Sequence, residues 1–518
     1  MISRRARRGF LADVGRGTLL ATLGPALLTD LGLAPKAFAE DLESRLHFGE
    51  LEPLVNELQN LPIERLQPVL AEKLKSGTAL KTLVAAGALA NARTFGGEDY
   101  IGFHTFMALA PALKMSSMMP AGQEALPIFK VLYRNGSRMQ EFGGRESETL
   151  QGLSDATFVS QPTANGLREA VVAKDMARAE QLLAEMMSGN PVSGLDALIP
   201  LVQDNPEVHR TVLPYRAWDM QTIVGTEHAT TLLRQSLRYC VRAEPHRRAE
   251  WDEHGKMLVS LIDEYKLNGA TPGNRAAEDA FVSQLSESFA TAAPMDSARA
   301  AASALAEGFS PDAVGEALSL AASQLVLRDG GRLPQWEDRL KPAGSVHGDS
   351  VGVHASDAAN AWRNLSRIST GQNVFACLII GAWQVARDRD NPGNLMKEPL
   401  PVKHHLDRLA SLDGDAVLSR LDEAVRNNLQ GNACAAVHRC GELGVSPDRI
   451  FNSLLQYAVS EDGALHAEKY FNTVWDDFHA TRSALRWRHL VSLARVTASE
   501  FGRAAAGQAE ARELLKVS

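Results

Sequence analysis

The sequence predicts an almost wholly α-helical protein, made of about four divergent helical units that stack into a helical array or a multi-helix bundle. Three observations predict it. Alternating β-branched stretches are missing, and alanine and leucine dominate the 518 residues. Windows such as Ala170–Met187 carry apolar residues at helical spacing. Helix starts are also marked. Ser310-Pro311-Asp312 and Ser446-Pro447-Asp448 each place a capping serine before a proline suited to the first helical position, and Gly308 and Gly444 close the preceding helices.

Taken in order, residues 1–39 read as a separable leader. Arg4-Arg5 and Arg7-Arg8-Gly9-Phe10-Leu11 make a basic start, Gly17 to Pro35 is weakly apolar, and Ala37-Phe38-Ala39 offers a small-x-small cleavage point. The apolar stretch is broken by Gly24, Pro25, Asp30 and Gly32, so it is poor as a membrane span, which needs about 20 apolar residues. The segment resembles the bacterial twin-arginine export signal. That likeness implies export in the folded state by the twin-arginine translocase, a periplasmic or secreted location, and a raised expectation of a cofactor.

The leader holds Arg4, Arg5, Arg7, Arg8, Arg16 and Lys36 against Asp13 and Asp30. The formal charge therefore moves from −8 for the whole chain to −12 without it. Such an acidic protein has no electrostatic case for nucleic acid or anionic lipid. No later run is apolar enough to span a membrane. Four cysteines, Cys240, Cys377, Cys434 and Cys440, form no disulfide framework. Cys434 and Cys440 are six residues apart on one predicted helix and face different ways.

Self-similarity divides the remainder into units at 40–160, 161–275, 276–395 and 396–518. Leu167-Arg168-Glu169-Ala170-Val171 recurs as Leu421-Asp422-Glu423-Ala424-Val425, and Gly308-Phe309-Ser310-Pro311-Asp312 recurs as Gly444-Val445-Ser446-Pro447-Asp448. A glycine shortly before a histidine that opens a helix appears at Gly102/His104, Gly225/His228, Gly352/His354 and Gly463/His466. Units of this size share a core with their neighbours. Pro245–Asp252, Asn268–Arg275, Arg328–Gly348 and Asp388–Lys403 read as linkers.

Familiar catalytic signatures are missing: no nucleophile elbow, phosphate loop, dinucleotide fingerprint, His-Glu-x-x-His or haem-attachment motif occurs. The chemistry then rests on the recurrent histidines. One imidazole at the same point of each unit can converge on one cavity, and neutral imidazole binds iron, copper and zinc. His104, His228, His354 and His466 are the expected metal ligands, with haem a lesser alternative. Glu227, Asp357 and Glu468 are the expected catalytic carboxylates, as ligand or base. His347 is a further candidate. Read singly, each histidine is a polar residue at a helix start; the recurrence is what asks for a shared cause. The Met115–Met119 stretch and the late aromatics Tyr470, Phe471, Trp475, Phe478 and Trp487 read first as packing, and the surroundings of Cys434 and His438 as a packed face.

Across Leu42–Phe501, the helices that start at His104, His228, His354 and His466 resemble the questin-oxidase-like family of all-helical proteins. That likeness implies an oxidoreductase acting on an aromatic or polyketide-like compound, and it carries over no catalytic residue. The expectation is an exported metal-dependent enzyme, an oxidoreductase on a small organic substrate. The alternative is a non-enzymatic helical-repeat binding or scaffold protein of the cell envelope. The two differ on whether the histidines converge.

Overall fold

The computed structural model describes residues 45–153, 162–337, 342–347, 350–389 and 398–517. Residues 1–39, where the sequence leads one to expect an export signal, lie outside them. The described residues form 23 α-helices and no strand; the β pairing consists of two isolated bridges. No helix among them is long and apolar enough to cross a membrane.

Local signals place the helices. Ser310 caps the helix Pro311–Arg328 by accepting from Ala313 N–H at 3.2 Å. Ser446 makes no such side-chain bond, and there Pro447 alone marks the start. Gly308 and Gly444 adopt φ of +85° and +68° after their helices, a region that favours glycine. Leu167, Ala170 and Val171 are buried, as are Leu421, Ala424 and Val425, so the recurring segment buries one face both times.

Four helices build the interior around which the rest pack: Tyr100–Ser116, Val208–Val224, Val351–Ile368 and His466–Ala480. The first packs on the second and fourth, and the third also packs on the second and fourth. Pro311–Arg328 covers Val351–Ile368 from outside. The last helix, Gln508–Leu515, returns to pack on Ile63–Lys75 and Leu126–Phe142, so the two ends of the described chain meet. Cys240, Cys377, Cys434 and Cys440 are all buried free thiols. Met115 and Met119 are core residues, as are Tyr470, Phe471 and Phe478.

Candidate metal centre

Each interior helix carries a histidine in its first turn or just beyond. Asp99 caps Tyr100–Ser116 by accepting from Gly102 N–H at 2.7 Å, which sets His104 one turn in. Glu207 caps Val208–Val224, accepting from the backbone N–H of His209 at 3.0 Å and of Arg210 at 3.2 Å. Ser350 caps Val351–Ile368 ahead of His354. Ala464 and Leu465 take φ of +49° and +66°, and His466 is the first residue of the next helix.

Two glycines allow these helix starts to approach their neighbours. A Cβ on Gly102 would lie 2.5 Å from the Phe95 ring, and one on Gly352 would lie 2.6 Å from Val326 Cα.

The result is a ring of four imidazoles: His104, His209, His354 and His466. Centroids are 4.7 Å apart for His104 and His209, 5.6 Å for His209 and His354, 5.7 Å for His354 and His466, and 5.1 Å for His466 and His104. His104 Nε2 and His209 Nε2 approach to 3.1 Å.

Hydrogen bonds fix the tautomers. A carbonyl can only accept, so His104 Nδ1 donates to Tyr100 O at 2.6 Å and His466 Nδ1 donates to Ala464 O at 3.1 Å. His209 Nδ1 meets the Glu207 carboxylate at 2.5 Å. In His104 and His466 Nε2 is thereby left as the inward-facing lone pair when the ring is neutral, and His466 Nε2 is buried without a hydrogen-bond partner. Two lone pairs at 3.1 Å repel unless a positive centre lies between them.

The surroundings oppose protonation of His104 and His466. Burial, then the charge of Lys469, hold His104 and His466 well below the ordinary histidine value. Four helix N-termini meet here and add their positive ends. One turn further along, Thr473 donates to Asp357 at 2.8 Å, and buried Lys469 and Arg216 face the same carboxylate. Burial pushes Lys469 down to about 8 against the pull of Asp357. At Glu207, burial works to raise the carboxyl, but the hydrogen bond and charge of His209 outweigh it and hold the group at about 2.

A cavity of about 1040 Å³ opens beside the ring set, with Glu207 and Tyr239 in its wall. Tyr239 donates to Glu207 Oε2 at 3.0 Å. Tyr100 packs on His104 with centroids 4.4 Å apart while 59% exposed, and Phe103 stacks on the same ring at 4.8 Å. The centre therefore lies just beneath the surface, under two aromatic covers.

No family model matches this chain, and no curated protein or solved structure is significantly similar to it.

Of the expected ligands, the structure brings together His104, His354 and His466, and not His228. The helix Val208–Val224 holds His209 at its start and ends just before His228; the 15-residue rise from His209 to Val224 alone is about 22 Å. His228 packs instead on Phe48, with centroids 5.5 Å apart, and Glu227 beside it is exposed. Glu468 is fully buried and salt-bridged to Lys130 at 2.6 Å. Residues two apart on a helix do not share a face, so Glu468 points away from the His466 ring. Asp357 does lie near the rings, one turn along from His354. His347 is engaged by Arg503 at 2.9 Å. His438 is half-exposed and lies 3.7 Å from Glu442, while Cys434 is buried.

The fourth ring, His209, was missed because no glycine precedes it. Its signal was Glu207-Val208-His209, an acidic cap two residues ahead of a histidine. Glu98 and Asp99 have structural partners: Glu98 pairs with Arg238 and Arg242, and Asp99 with Arg138.

Among the described residues, no group of three or more His, Cys, Asp or Glu side chains has its donor atoms drawn together as a finished metal site. What can be compared with an ion site is the spacing of the four adjacent ring pairs, 4.7, 5.6, 5.7 and 5.1 Å between centroids. With metal–nitrogen bonds of about 2.0–2.1 Å, tetrahedral imidazoles have nitrogens about 3.3 Å apart and centroids about 5 Å apart. The committed Nδ1 atoms are the arrangement that orients metal-ligating histidines.

Proposed function

We propose that this chain is an exported metal-dependent oxidoreductase acting on a small organic substrate, with a transition-metal ion held by His104, His209, His354 and His466. The observation that carries the reading is the convergence of four imidazoles from four separate helices, three of them with Nδ1 engaged by a carbonyl or carboxylate. A scaffold has no need of such a ring. Imidazole donors suit iron, copper and zinc. A tetrahedral zinc with four protein ligands is a closed structural site, so a catalytic role favours iron or copper, which accept further ligands.

When bound, such an ion would supply redox chemistry. The chain's own residues do the rest. Tyr100 O, Ala464 O and Glu207 hold three rings in the binding tautomer. Phe103 and Tyr100 keep water off His104. The cavity beside Glu207 admits the substrate, and the negative charges of Glu207 and Asp357 offset part of the ion's charge. The leader's arginine pairs support folded export, which suits a protein loaded with metal before it leaves the cytoplasm.

Cobalt(II) titration of metal-stripped protein tests the centre. The expected result is a visible absorption band that saturates at about one ion per chain and is lost in His209→Ala. A featureless titration in the wild type overturns the proposal.

A further inference from the structure

We infer that the protein carries a second ligand site, at the far ends of the four interior helices, which takes a small organic ammonium ion. The bundle sets it up. Lys114, Asp219, Asn364 and Asp476 each lie ten residues after one of the ring histidines, His104, His209, His354 and His466. Ten helical residues rise about 15 Å. The four helices all start at the imidazoles, so these side chains form a second layer across the bundle. All four line one cavity of about 500 Å³.

The charges in that layer leave one carboxylate over. Lys114 is ion-paired to Asp476, which also accepts from Asn472 Nδ2 at 3.1 Å. Arg367, the other basic side chain of the wall besides His479, donates to Asp312 at 2.7 Å. His479 Nδ1 donates to Trp475 O at 2.8 Å. Asp219 makes no side-chain hydrogen bond or ion pair among the described residues. Burial raises its carboxyl above the ordinary aspartate value, against the pull of Arg216. The helix ends add the same sign of charge. The helices finish on this side, at Ser116, Val224, Ile368 and Ala480, and turn the negative ends of their dipoles toward it.

The occupant is therefore a cation. An anion would have to displace Asp476 from Lys114 or Asp312 from Arg367. A calcium ion takes about six to eight oxygens, whereas the cavity offers two carboxylates, one of them held by Lys114. An ammonium needs only hydrogen-bond acceptors such as Asp219 Oδ1 and Oδ2. Leu113, Ile223 and the rings of Tyr215 and Trp475 supply an apolar wall for a short carbon chain.

The site stands apart from the imidazole ring, so its test is independent of metal. The full chain, with chelator present, is titrated calorimetrically with three molecules of one chain length: n-butylammonium, 1-butanol and butyrate. Butylammonium should bind saturably, and the alcohol and the acid at least about tenfold more weakly. In methyl-labelled protein, butylammonium should shift the NMR signals of Ala110, Leu113 and Ile223, which line the cavity. Asp219→Asn, nearly the same in shape, should lose at least about tenfold in affinity. No saturable binding, equal binding of butanol, shifts confined to other methyls, or wild-type affinity in folded Asp219→Asn overturns the inference. If Asp219→Asn does not fold, the three head groups and the methyl shifts in the wild type decide.

Discussion

Replacing Gly352 by alanine tests how the centre is built. The added Cβ would lie 2.6 Å from Val326 Cα, 2.7 Å from Val326 N and 3.0 Å from Leu325 C. These are backbone atoms of a packed helix and cannot swing aside. Carbon contacts are optimal at about 3.5–4.0 Å, so the helix Val351–Ile368 must retreat by about 1 Å. Overpacking of this kind costs about 1–3 kcal/mol. Alanine's helix preference over glycine returns up to about 1 kcal/mol. The expected net loss is about 1–2 kcal/mol. Because His354 lies two residues on, metal affinity should fall as well. Urea denaturation and metal titration of Gly352→Ala read both effects. Gly189→Ala is the control, since a Cβ there meets nothing within 4 Å. A Gly352→Ala protein as stable as the wild type, with equal metal affinity, would refute the close-approach argument.

Other predictions follow from the same geometry. His466 is held neutral in the fold, whereas in the unfolded chain it titrates near 6.5. The folded pKa is depressed, so the unfolded state binds more protons and stability is lost as pH falls below about 6.5. His466→Gln lacks this penalty, so relative to wild type its metal-free form should gain about 2 kcal/mol between pH 7.5 and 5 in urea melts; no change in the gap contradicts a neutral His466. Glu207→Ala should weaken metal binding about 10- to 100-fold, since the carboxylate orients His209; competition against a chelator measures it, and wild-type affinity would count against that role. Changing Arg4, Arg5, Arg7 and Arg8 together to lysine should abolish export; an undiminished periplasmic fraction rules out the twin-arginine route.

The helical fold was legible because its signals are local. Ser310 and Pro311 start a helix, Gly308 and Gly444 end others with positive φ, and the buried face of Leu167–Val171 shows in its spacing. The site was partly legible for the same reason. Gly102 and Gly352 precede a histidine because the helix start must approach a neighbour closely, and those two steps led to His104 and His354.

At Gly225 the same letters mean something else. Its φ of +109° marks the end of Val208–Val224, and His228 follows an exit rather than opening an interior helix. His209 enters through a carboxylate cap, so glycine gave no sign of it. The even spacing of the four predicted histidines was coincidental to the ring set, in which 105 residues separate His104 from His209 and 145 separate His209 from His354. Sequence neighbours also misled on the acids. Glu227 and Glu468 lie beside histidines in the chain but not in space, where the helix turns Glu468 toward Lys130.

Metal content decides the central claim most directly. Protein produced in its native cell and purified without chelator should carry about one transition-metal ion per chain. His104→Ala, His209→Ala, His354→Ala and His466→Ala should each lose it, while His228→Ala keeps it. A metal-free wild type, or four ring variants that all retain the ion, would contradict the account.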